Sequence, residues 1–126
     1  MASYSILTNN PLVADKLKGK KTVEYVPVSY EEILKMARDR VYQGYKLLSH
    51  PLSGSVKPKE TPYKSIMVST RKEEVEAQSV RIIEEAVMAC GKFTDRRDSY
   101  GPDVRKDFQM IDWTLLESAF ASADAW

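Results

Sequence analysis

Tyr4-Ser5-Ile6-Leu7-Thr8-Asn9-Asn10-Pro11 compresses a β-leaning run, a sharp turn and the first position of a helix into eight residues. Isoleucine, leucine and threonine favour an extended strand, Asn9 and Asn10 favour a turn, and Pro11 is tolerated at the first helical position that Asn10 would cap. The helix is expected to run through Leu12, Val13 and Leu17 and to stop at Gly19. Thr22-Val23-Glu24-Tyr25-Val26 then reads as a second strand ending at Pro27, so the chain opens as a βαβ unit.

Outward from this unit the pattern repeats. Ser29-Tyr30-Glu31-Glu32 has the form of a capping box, and Ile33, Met36, Ala37, Val41 and Tyr45 follow at helical spacing, with Gly44 placed to end the helix. Lys46-Leu47-Leu48-Ser49 reads as a brief strand and Ser65-Ile66-Met67-Val68-Ser69 as a clearer one, separated by a loop of fifteen residues from His50 to Lys64. A helix is predicted from Glu73 to Cys90, with Val75, Ser79, Ile82, Ile83, Ala86, Val87 and Cys90 on one stripe and Gly91 after it. Gly101-Pro102-Asp103 opens another helix with Val104, Phe108 and Ile111 on one face. Asp112 is expected to cap a final one carrying Leu115, Leu116 and Phe120, with Thr114 and Glu117 as an alternative capping box. Residues 121–126 are expected to fray.

Alternating strands and helices predict an α/β fold. The expected form is a small, mainly parallel four-stranded sheet with helices packed on it in Rossmann-like layers, plus two extra C-terminal helices. The 126 residues suit a single domain. Charged residues at 29% and apolar residues at 43% argue against a disordered tail or a disulfide miniprotein. Nineteen basic against eighteen acidic residues give a net charge of +1, too balanced for a generic nucleic-acid coat or a polybasic membrane anchor. No apolar run approaches a membrane span and the first residues lack a leader pattern, so a cytoplasmic location is expected.

In open α/β sheets ligands bind beyond the carboxyl ends of the strands. Thr8-Asn9-Asn10 follows the first strand and His50-Pro51-Leu52-Ser53-Gly54-Ser55 the third, so parallel strands would bring both loops to one cleft. The second loop continues with Lys57, Lys59 and Lys64, and from Lys46 to Lys72 there are six basic residues against one acid, whereas Glu73 to Glu85 holds five acids and one base. A carboxylate- or phosphate-bearing ligand is expected there, met by Thr8, Asn9, Asn10, His50, Ser53, Gly54, Ser55, Lys57, Lys59 and Lys64. The bland reading is that the lysines are solvated loop residues and the asparagines plain turn and cap residues. His50 is the only imidazole, a candidate general base that lacks the partners of a transition-metal site. Cys90, the only cysteine, falls on an apolar stripe and reads as core. Neither nucleotide fingerprint is present, so no cofactor is expected, and the tyrosines near lysines read as sheet cover rather than base-stacking platforms.

Thr8-Asn9-Asn10-Pro11-Leu12-Val13 and the run from Gly44 through His50-Pro51-Leu52-Ser53-Gly54-Ser55-Val56-Lys57-Pro58 to Ser65, together with Phe108, Ile111 and Asp112, resemble the GrdX family. The resemblance implies a cytoplasmic accessory protein encoded beside the glycine, sarcosine and betaine reductase systems of amino-acid-fermenting anaerobes. It brings no catalytic residues to carry over. The family pattern often has histidine where Tyr45 stands and asparagine where Lys59 stands, so no two-histidine site is expected in this chain. The leading expectation is thus a non-catalytic accessory or regulatory protein with an anion-binding or acidic-segment-binding cleft. Its rivals are a small enzyme using His50 as base, and an assembly protein whose last two helices dock on a reductase subunit or a second copy.

Overall fold

The structure is a computed structural model that describes residues 4–52, 59–93 and 99–124, with side chains to residue 120. Strand β1 (Tyr4–Thr8) turns directly into helix α1 (Pro11–Leu17), because the Asn10 side chain accepts from Leu12 N at 3.0 Å and Pro11 needs no donor partner there. Strand β2 (Val23–Tyr25) follows, shorter than the expected run, and helix α2 (Tyr30–Tyr42) begins where the Ser29 hydroxyl accepts from Glu32 N at 3.2 Å. Strand β3 (Ser65–Ser69) and helices α3 (Ala77–Cys90) and α4 (Pro102–Asp124) complete the order.

The sheet is α/β in setting but is neither four-stranded nor mainly parallel. Its order is β2-β1-β3, with β1 parallel to β2 and antiparallel to β3, pairing Thr8 with Ser65 and Tyr4 with Ser69. A parallel neighbour requires a crossover, usually helical, whereas an antiparallel one needs only a returning loop. The expected third strand, Lys46–Ser49, makes a single bridge, Leu47 to Val68. Leu48 N donates to Met67 O and Ser69 N to Lys46 O, both at 2.9 Å, but the flanking amides of Met67 and Lys46 donate to the hydroxyls of Ser49 and Ser69. Serine oxygens thus replace main-chain carbonyls and the ladder stops.

Helices cover both faces. Leu7 on β1 and Ile66 and Val68 on β3 pack with Tyr30, Ile33, Leu34, Ala37 and Val41 of α2 and Ile83, Ala86 and Cys90 of α3 in the larger core. The alternate residues Ile6 and Met67 pack with Val13 and Leu17 of α1 and Leu116 of α4 in the smaller one. Cys90 is fully buried, as its stripe position predicts.

Helix α3 starts at Ala77 rather than Glu73. Glu73 N donates to Gly44 O at 3.0 Å, and Lys46 holds Glu73 and Glu76 at 3.3 and 3.9 Å, so these acids belong to the turn before the helix and Val75 is left exposed. Gly44 has φ 108°, and a Cβ there would overlap the Glu73 carbonyl oxygen, so glycine is required for this approach.

The two expected C-terminal helices are one. Nothing between Pro102 and Asp124 breaks helical backbone, the Asp112 carboxylate points into the protein instead of capping, and Thr114 Oγ1 donates to Met110 O at 2.9 Å instead of capping. The helix runs on to Asp124, and residues 125–126 lie outside the described range.

Candidate functional site

The turn after β1 and the segment entering β3 meet at one edge of the sheet, because β3 pairs antiparallel with β1 and so begins where β1 ends. Asn9 fastens them. Its Nδ2 donates to Val28 O at 2.8 Å and to Pro62 O at 2.9 Å, its Oδ1 accepts from Lys64 N at 2.8 Å, and its own N donates to Lys64 O at 3.4 Å. One amide therefore joins three segments, and its side-chain hydrogen bonds are spent on the fold.

Beside it, on the α4 face, lies a buried polar cluster. Asn10 N donates to Thr8 Oγ1 at 2.9 Å, Thr8 and Ser65 hydroxyls are 2.7 Å apart, and Ser65 Oγ donates to Asp112 Oδ2 at 2.7 Å. Ser65 has one hydroxyl proton, so with Asp112 ionised the Thr8 hydroxyl donates to Ser65 and the chain of donors runs one way, toward the carboxylate. Asn10 Nδ2 adds bonds of 3.0 Å to Asp112 Oδ2 and to Gln109 O, and Gln109 Nε2 donates to Tyr63 OH at 3.0 Å.

Burial raises the Asp112 pKa above the usual carboxylate range, and the hydrogen bonds from Asn10 and Ser65 and the nearby Lys64 charge only partly offset it. Burial likewise lowers Lys64, against the pull of Asp112. Tyr30, buried nearby in α2, is pushed up by burial, with Cys90 and Asp112 adding to the rise. Each ionisable group here is displaced toward its neutral form, the signature of a low-dielectric site.

A shallow cleft of about 180 Å³ opens on the outer side of the Asn9 staple, lined by Asn9, Pro11, Tyr25, Pro27, Val28, Pro62 and Tyr63. It lies beyond the carboxyl ends of β1 and β2, the place such folds use for ligands. Its described lining carries no formal charge.

The expected site residues divide into four sets. Thr8, Asn9, Asn10 and Lys64 come together, all buried and all engaged within the fold. Lys59 stands on the same segment with φ 66°, and its ammonium pairs with Glu31 at 3.1 Å in the first turn of α2, which holds the Glu31 carboxyl below its ordinary range. His50 is exposed at the start of the loop, and its Nδ1 accepts from Leu52 N at 3.1 Å, which leaves the proton on Nε2 in the neutral ring. Ser53, Gly54, Ser55 and Lys57 lie outside the described residues. Much of the basic stretch is thus answered within the molecule: Lys46 and Arg71 by Glu73, and Lys59 by Glu31.

Sequence reasoning missed Asp112, Gln109 and Tyr63 as parts of this edge. The available signal was spacing: Gln109, Asp112 and Leu116 lie three and four apart and share one helix face with the core. Among the described residues no group of histidine, cysteine, aspartate and glutamate is placed to hold a metal ion, and no helix is long and apolar enough to cross a membrane.

Residues 5–121 match a protein family described as GrdX-like protein. No curated protein and no solved structure matches the chain.

Proposed function

The chain belongs to the GrdX-like family, and from that premise we propose that it is a non-catalytic accessory or regulatory protein of the glycine, sarcosine and betaine reductase systems, acting by recognising a small carboxylate- or phosphate-bearing ligand. The recognition edge in this reading is the one where the turn Thr8-Asn9-Asn10 meets the segment that closes the loop from His50 to Lys64. The observation that supports it is the Asn9 staple, whose bonds to Val28, Pro62 and Lys64 hold both ends of that edge to one rim. Thr8, Asn9, Asn10 and Lys64 build the rim, and His50, Ser53, Gly54, Ser55 and Lys57 make the contacts, with Lys57 supplying charge. Lys59 ties the exit of that loop to α2 through Glu31.

Titration calorimetry with glycine, betaine, acetyl phosphate and an acidic peptide tests this. The expected result is saturable binding of one anionic ligand, weakened at least tenfold, about 1.4 kcal/mol, in Lys57→Ala. Heat signals indistinguishable from dilution for every ligand would end the proposal, and turnover of any of them abolished by His50→Ala would replace it with a catalytic one.

A further inference from the structure

Helix α4 carries apolar residues on more than one side. Trp113, Leu116, Ala119 and Phe120 pack into the smaller core, while Val104, Met110, Ile111 and Leu115 are between 37% and 49% exposed. Hydrophobicity discriminates only in part between rotations: a turn of about 100°, one residue, sets Leu115 in the place of Leu116 and Ile111 in that of Asp112, though it also brings Asp112 to the place of Trp113. Ile111 and Trp113, the neighbours of Asp112, would each fill its place with hydrocarbon.

The polar contacts do discriminate. Asp112 sits at the middle of the helix with only 7% of its surface exposed, and its Oδ2 accepts from two different segments, Ser65 Oγ at 2.7 Å and Asn10 Nδ2 at 3.0 Å. Asn10 Nδ2 also donates to Gln109 O at 3.0 Å, one turn earlier on the same helix, so side chain and backbone are gripped together. A rotation or a slide by one residue would strand the Asn10 amide and the Ser65 hydroxyl in a dry interface.

We propose that Asp112 is a rotational and axial key for α4: it sets which side of the helix meets the sheet and thereby keeps Val104, Met110, Ile111 and Leu115 outward. The carboxylate lowers overall stability relative to an apolar residue and is kept for this specificity, as buried polar residues do in register selection. Lys64, just before β3, is displaced toward its neutral form by burial against the pull of Asp112, in keeping with a site that burial makes unfavourable for charge.

The test places a single cysteine at Ile111 or at Leu116 in the full chain and follows alkylation. In the otherwise native chain Ile111→Cys should react at least a hundredfold faster than Leu116→Cys, while Cys90 stays silent in the core. Adding Asp112→Leu should collapse that ratio at least tenfold while the urea midpoint stays level or rises. A ratio kept within twofold in a folded Asp112→Leu protein overturns the key. Should that variant fail to fold, Ser65→Ala with Asp112→Leu, which removes both ends of the bond, decides on the same criterion. Failure of both to fold also overturns the proposal, since a residue that costs stability has to be replaceable.

Discussion

The two faces of the sheet are held by different physics. On the α2 and α3 side Leu7, Ile33, Leu34, Val41, Ile66 and Ile83 form a continuous apolar core with few polar partners. On the α1 and α4 side the apolar cluster is smaller, and next to it Thr8, Asn10, Ser65 and Asp112 form a hydrogen-bonded group. The first face gains free energy in proportion to area and tolerates small shifts; the second gains little net free energy but fails if its partners move. Stability and uniqueness are thus separated across one layer of three strands.

The largest effect expected from breaking this contrast is on the apolar face. Leu34→Ala removes a fully buried side chain between sheet and helix and should cost about 3 kcal/mol, read as a lower urea midpoint with an unchanged slope. Asn9→Ala should come next, at about 2 kcal/mol, because it leaves Lys64 N and the carbonyls of Val28 and Pro62 without their partner. A midpoint within error of the native one would show that water replaces the amide, and would make the edge less rigid than its bonds imply.

A smaller effect sharpens the contrast through pH. The folded Asp112 carboxyl titrates above its ordinary value of 3.8, so over the interval between the two values the folded state holds more protons than the unfolded one. Its contribution is therefore fully present below the unfolded value and is lost as pH rises through the folded one. Urea midpoints of the native chain relative to Asp112→Asn should accordingly fall as pH rises from about 4 to about 7, and a flat difference would contradict the assignment. Smallest is Lys59→Gly. It gives up a partly solvated ion pair with Glu31 but relieves a left-handed backbone, so stability should change by less than about 1 kcal/mol, whereas Lys59→Ala keeps the strain and loses the pair.

The same contrast explains what was legible in the chain. Local chemistry announced the Asn10 and Ser29 caps, the proline start of α1, the strand Tyr4–Thr8 and the buried position of Cys90, because each depends on neighbours within a few residues. The direction of β3 was not legible, since it depends on whether a fifteen-residue loop crosses over or returns. Nor was the role of Asp112, whose partners Asn10 and Ser65 are 102 and 47 residues away in the chain. An aspartate followed by Leu115 and Leu116 satisfies the local rule for a cap, and only tertiary packing overrides it. For the candidate site, local chemistry joins the first turn to the start of the later loop, His50 to Ser55, whereas the bonds seen at Asn9 reach the loop's exit at Pro62 and Lys64; that the fold itself uses the asparagines' donors was not legible, because donor counts reveal nothing of who accepts.

Because the lone thiol of the chain, at Cys90, is sealed between α2, α3 and the sheet, an aromatic disulfide reagent reaches it only during excursions that part those layers. The protein therefore carries its own clock for spontaneous opening: the colour released per minute, compared with that of unfolded chain, measures how often the larger core breathes, without attaching any foreign dye.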